Sequence, residues 1–160
     1  MAYIITNGPV GCQPVATTST VKNHPLGMIV RASDPTYGSG EFIYLAGATS
    51  TIVGSWVTYN MDDGTTTLIV PNAIGPVAVA MSINVGSSYG WYQIQGKAIG
   101  YAADVADNGK VYIDTLAGRC DDAVVAGDKV HNAKWASAED TATNLAEVEI
   151  ARPFCTDEST

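Results

Sequence analysis

Few residues in this chain can attack a substrate or move a proton near neutral pH. Histidine occurs as His24 and His131, and cysteine as Cys12, Cys120 and Cys155. A thiol beside an imidazole is a nucleophile–base pair, and Cys12 with His24 is a candidate combination. The segment around them is rich in Pro and Gly, a poor platform for preorganised chemistry. An inert thiol and a solvent-facing imidazole are therefore expected. The HExxH and P-loop patterns do not occur. Adjacent carboxylates stand in "MDDG" (61–64) and "CDDA" (120–123). Calcium loops use alternating positions, whereas adjacent Asp residues open turns by bonding the backbone two residues on. Asp104 and Asp107 flank a turn and read the same way. The expectation is a chain that is not an enzyme and takes no cofactor or metal.

The densest candidate for binding is "YGWYQIQGKAIGYA" (89–102), with four aromatics, three glycines and Lys97 as its one charge. As one unbroken strand it divides into two faces. Trp91, Gln93, Gln95, Lys97, Ile99 and Tyr101 share an amphipathic face. Tyr92, Ile94, Gly96, Ala98, Gly100 and Ala102 share a smaller, apolar face suited to close approach of another layer. A bulge at Gly96 would break this division and return Ile99 and Tyr101 to the core. Large rings among amides suit a glycan platform or a subunit contact. The subunit contact is expected, made by Trp91, Gln93, Gln95, Lys97 and Tyr101.

The elements that position these residues are strands. Val, Ile, Thr, Tyr and Trp cluster in short runs separated by Gly, Asn, Asp and Pro, the pattern of an all-β domain. "MIVRA" and "EFIYLAG" flank an irregular loop, and "WVTYN" and "TTTLIV" flank a hairpin turn at Asp63-Gly64. "PVAVAMSI" alternates Val77, Val79, Met81 and Ile83 with Ala78, Ala80 and Ser82, apolar on both faces, so it belongs in the interior. Asn108-Gly109 suits a type I′ turn. In "LAEVEIARPF", Ala146, Val148 and Ile150 point inward, Glu147 and Glu149 outward, and Pro153 ends the ladder. "GSWV" and "GDKV" each place a Gly turn before a strand. The one candidate helix is a turn or two over 136–144, where "SAED" resembles a capping box.

Residues 1–27 read differently, with three prolines, three glycines and one charge. Proline cannot donate to a ladder, so an extended N-terminal arm is expected, followed by a domain over 28–154 and a tail over 155–160. The segment could pack as a strand on its own domain, or Tyr3, Ile4, Ile5, Val10, Val15 and Val21 are the apolar positions by which such an arm would dock on a neighbouring chain.

At 160 residues the chain needs no disulfide or metal staple, and three cysteines without CxxC spacing read as reduced thiols. Charged residues make up 15%, below the ordinary value of about 25%, so covered surface is expected. The net charge of −8 argues against binding nucleic acid. Twelve of the sixteen acidic residues lie beyond residue 100, so one part is nearly neutral and the other strongly solvated. No signal peptide is visible, and the longest apolar run is too short for a membrane helix.

Five ordered blocks resemble small virion structural proteins of tailed bacteriophages, of the capsid decoration or cement class. They are "HPLGMIVRASDPTYGSGEFIYLAG" (24–47), "GPVAVAMS" (75–82), "YGWYQIQGKA" (89–98), "DDAVVAGDKV" (121–130) and "AEVEIARPF" (146–154). The resemblance implies a β-rich domain on the outer surface of an icosahedral head, made in the host cytoplasm. Its partner would be the major capsid protein, and it would assemble as a homotrimer bracing capsomer joints. The full expectation is an all-β fold, a small β-barrel or sandwich of roughly eight to ten strands, with an extended arm. The runner-up function is a receptor- or glycan-binding module of a phage fibre.

Overall fold

The computed structural model describes residues 1–158. Twelve strands form one antiparallel sheet, and no helix occurs among the described residues. The strands are β1 (Ile4–Asn7), β2 (Thr18–Ser19), β3 (Ile29–Asp34), β4 (Gly38–Ala46), β5 (Trp56–Tyr59) and β6 (Thr66–Leu68). Next come β7 (Ile74–Ala80), β8 (Tyr89–Tyr101), β9 (Lys110–Ile113), β10 (Cys120–Asp121), β11 (Lys129–Trp135) and β12 (Leu145–Thr156). The main path runs β1-β3-β4-β8-β7-β12-β11-β9-β10, with β2 on β8 and the β5–β6 hairpin on β7. The sheet is not closed into a barrel. A single parallel bridge, Ala102 to Cys120, joins the end of β8 to the β10 edge. The arrangement is sandwich-like, with apolar layers on both faces of β7 and β8.

Alternation explains these layers. On β7, Val77 and Val79 enter one core cluster with Trp56, Trp135 and Val148. Ala78 and Ala80 enter another with Ile43, Leu45, Tyr92 and Ile94. The apolar-both-faces pattern of this strand is thus an interior strand. On β8 the small residues of the C-terminal half allow close packing, as their size suggests. Ala98 and Ala102 are fully buried, and Gly100 lies under Trp56, so that a Cβ there would stand 2.9 Å from the indole. Gly54 and Gly127 have φ of 87° and 88°, and a strand follows each.

Several local expectations are corrected. Asn108 has a left-handed φ of 64° but Gly109 does not, so the turn is not type I′. Its strands do not pair: β9 joins β10 and β11. Residues 136–144 form no helix. Asp140 takes the Ala142 amide onto its own carboxylate and closes a tight turn instead. Pro153 does not end β12, which runs to Thr156. It sits where β12 leaves β8 at Ala151 and joins β7 at Phe154, a changeover where no ladder N–H is needed.

The irregularity of β8 lies one turn of the pleat earlier than the sequence suggests. Glu41 faces Gln95 and Phe42 faces Gln93, so Ile94 is the extra residue. Gly96 follows with φ 101°. The Gln93 amide donates to the carbonyls of Gln95 (3.1 Å) and Lys97 (3.1 Å), satisfying acceptors beside the bulge. The two-face division breaks across it: Tyr92 and Ile94 pack with Ala78 and Ala80, whereas Ala98 and Ala102 pack with Val77 and Val79, which lie on the other face of β7. Ile99 and Tyr101 nonetheless stay half-exposed and do not return to the core.

Gly96→Ala is expected to cost at least about 2 kcal/mol, from the left-handed φ and a Cβ 2.6 Å from the Ser39 carbonyl oxygen. Gly38→Ala, at φ 76° with open space around it, should cost only about 1 kcal/mol. Urea midpoints compare the two. Equal losses would show that the close approach to β4 carries no energy.

Candidate interaction surface

The N-terminal segment is folded onto the sheet. β1 pairs with β3 through Ile4–Ser33, Ile5–Ala32 and Asn7–Arg31, and β2 pairs with the start of β8. The period of two splits the apolar residues of the segment. Tyr3 is 9% exposed and packs on Phe42, with ring centroids 4.8 Å apart, and its hydroxyl donates to the Lys97 carbonyl at 2.7 Å. Ile5 is half-buried against the same cluster, and Val15 is fully inside it. Ile4, Val10 and Val21 point outward. Of the six predicted docking positions, Tyr3 and Val15 therefore have no surface to offer a partner. Their burial in the chain's own core is the physical reason.

Gln13 is the anchor. Its carbonyl accepts from the Trp91 indole N–H at 2.8 Å, and its side-chain oxygen accepts from Tyr44 (3.0 Å) and Asn23 (2.9 Å). Its amide nitrogen donates to the carbonyls of Thr17 (2.8 Å) and Tyr89 (3.2 Å). A buried, fully paired network of this kind fixes one geometry. Tight turns at Pro9–Cys12 and Pro14–Thr17 bring the chain to and from this point. The signal was in the sequence only as a lone Gln among apolar residues, which does not announce long-range partners.

Outside this anchor, β1 is the last strand of its end of the sheet, so its second edge is unpaired among the described residues. A cleft of about 420 Å³ opens between β1 and the turn after it, lined by Tyr3 to Thr6, Pro9, Gly11 and Cys12. Ile4 borders it and Val10 stands fully exposed on the turn. An open edge with exposed aliphatic side chains is the geometry of strand addition, where backbone bonds give affinity and alternate side chains give selectivity.

The predicted subunit contact on β8 is divided by the same folding. Trp91 and Gln93 are completely buried beneath the N-terminal segment, which corrects their assignment to a surface. Gln95 is exposed, Lys97 pairs with Glu147, and half-exposed Tyr101 has the Arg119 guanidinium 5.8 Å above its ring. These three remain available, but they do not form the continuous ring-bearing face that an unbroken strand implied.

The residues with chemical potential are quiet. The structure does bring Cys12 and His24 together, with Sγ 3.8 Å from Nε2. That nitrogen already accepts the Gln13 amide at 3.1 Å, and the ring is wedged against Tyr44 and Trp91. Burial pushes the Cys12 thiol up, away from the thiolate. The paired carboxylates serve turns. Asp63 accepts the Thr65 amide, which holds its carboxyl below the usual range, and Asp121 and Asp122 accept the amides of Ala123 and Ala106. No set of three or more His, Cys, Asp or Glu gathers as a metal site among the described residues.

Cys120 and Cys155 are buried in the main core. Burial raises the first well above the ordinary thiol value and the second to about 12. An unfolded thiol ionises near about 8.5, so above that pH the unfolded state binds fewer protons than the folded one. Stability is therefore full below about pH 8.5 and falls as pH rises toward 12. Chemical denaturation from pH 8 upward checks this. Cys155→Val should flatten the decline, and an unchanged slope would exclude the thiol as its source.

Comparisons with family models, with curated proteins and with solved structures find no match. What fold and surface define is an all-β module whose β1 edge is open and bears exposed aliphatic side chains.

Proposed function

We propose that this chain is a non-catalytic assembly protein. It docks through the open β1 edge, and its setting is the outer surface of a tailed-phage head, where it braces neighbouring major capsid proteins. The observation that carries the reading is the combination of a pinned N-terminal segment with outward Ile4 and Val10 beside an unpaired edge. Such an edge is a liability in a free monomer, commonly limited by charge, cover, shortness or a bulge. β1 ("IITN") has no charge and no covering strand, and its only devices are its four-residue length and the register shift after Ile5. The order of the five sequence blocks supplies the phage setting, and the near-neutral first hundred residues suit a covered face. A repeated lattice multiplies a modest contact into firm attachment. The acidic remainder would keep a decorated particle soluble.

The glycan-module alternative loses the ring on which it rests, since Trp91 is sealed. Co-sedimentation of the full chain with purified heads tests the proposal. Saturable binding at a fixed number of copies per head is expected, and no binding above background would sink it.

A further inference from the structure

A second surface, near the opposite end of the strand order, has a different character. β11 loses register on both sides. Against β9, Lys129 faces Tyr112 and Lys134 faces Lys110, so residues 130–133 have no ladder partner there. Against β12, His131 faces Phe154 and Ala133 faces Ile150, so β12 carries the excess chain on that side. Asn132 (φ 59°) and Arg152 (φ 53°) mark the two dislocations. Between them opens a cleft of about 600 Å³, lined among others by Lys110, Lys129, His131, Asn132, Lys134 and Glu149.

The charge of this cleft runs against the rest of the molecule. It holds three of the eight Lys and Arg residues and one of the sixteen acids. Lys134 is partly spent on Glu149 (3.2 Å) and Asn108 (3.2 Å). Lys110 and Lys129 form no ion pair among the described residues. Lys110 and Lys134 are direct cross-strand partners, and like charges so placed cost stability unless an anion lies between them.

We propose that this cleft binds an extended acidic peptide segment of a partner protein. Lys110 and Lys129 take its carboxylates, and the side of 130–133 that β9 leaves unpaired offers backbone groups alongside. A protein segment fits better than nucleic acid. Three lysines neutralise few phosphates, and the acidic remainder repels a long polyanion. A short segment feels mainly the lysines, because screening confines the field to about 8–10 Å at moderate salt. This site is independent of the β1 edge.

The test is fluorescence anisotropy of the full chain with fluorescein-labelled hexaglutamate, with labelled oligothymidylate in parallel. Saturable hexaglutamate binding is expected at low salt. It should weaken about tenfold in Lys110→Ala/Lys129→Ala and again on raising salt to about 150 mM. Lys22→Ala, a cation elsewhere, should bind as wild type. Amide shifts on titration should move at residues 130–133. The proposal is overturned by absence of saturable binding, by undiminished binding in the double variant, by tighter binding of oligothymidylate, or by shifts confined to other strands.

Discussion

Trp91→Ala is expected to lower the unfolding free energy by about 3–5 kcal/mol, the range for emptying a buried large aromatic site. The indole is wholly inside, edge-on to Tyr44 at 5.0 Å, and its N–H donates to the Gln13 carbonyl. Truncation therefore opens a cavity and leaves a buried acceptor without its donor, and both terms have the same sign. Tyr101→Ala, on the half-exposed stretch of the same strand, should cost less than half as much. Urea unfolding followed by near-ultraviolet circular dichroism measures both. A loss under about 1 kcal/mol for Trp91→Ala would mean that the ring is not packed as described.

Deleting residues 1–27 should be more damaging still. It removes Tyr3, Val15 and the Gln13 network and uncovers Val30, Phe42, Tyr44 and Trp91. Burial of each large apolar side chain is worth about 1.5–3 kcal/mol, and a domain has only about 5–15 kcal/mol in total. The truncated chain is expected to be unfolded, or compact without fixed packing, at 25 °C. A cooperative transition within about 2 kcal/mol of the full chain would contradict this, that being the share of a single buried side chain. The consequence for any binding experiment is direct. Loss of docking on deletion would report loss of fold, so the edge must be probed by substitutions at exposed positions.

The parts of the fold legible in the sequence are those set by local pattern. The two-faced apolar β7 and the β5–β6 and β3–β4 hairpins all follow from alternation and turn residues. The fate of the first 27 residues was not legible in the same way. Prolines and missing charges suggest an arm, but Gln13 finds partners at Tyr44, Tyr89 and Trp91, and nothing in local spacing reports bonds across that distance. The error about Trp91 and Gln93 is the same error seen from the other side: a strand face is exposed only if no segment returns to cover it. At "SAED", local propensity lost to the side chain of Asp140. Helix nucleation over so few residues is unfavourable without tertiary support. On the candidate surface, Ile4, Val10 and Val21 are exposed, as docking positions in a charge-poor segment must be, whereas the β11 cleft carried no signal. Its lysines look unremarkable until two register shifts bring them together.

The most direct measurement is head binding by the variant Ile4→Asp/Val10→Asp, made at the two exposed positions beside the open edge. Both side chains face outward, so the variant should unfold within about 1 kcal/mol of the wild type. It should also lose co-sedimentation with heads that the wild type binds. A folded variant that sediments with heads as well as the wild type does would contradict docking through the β1 edge.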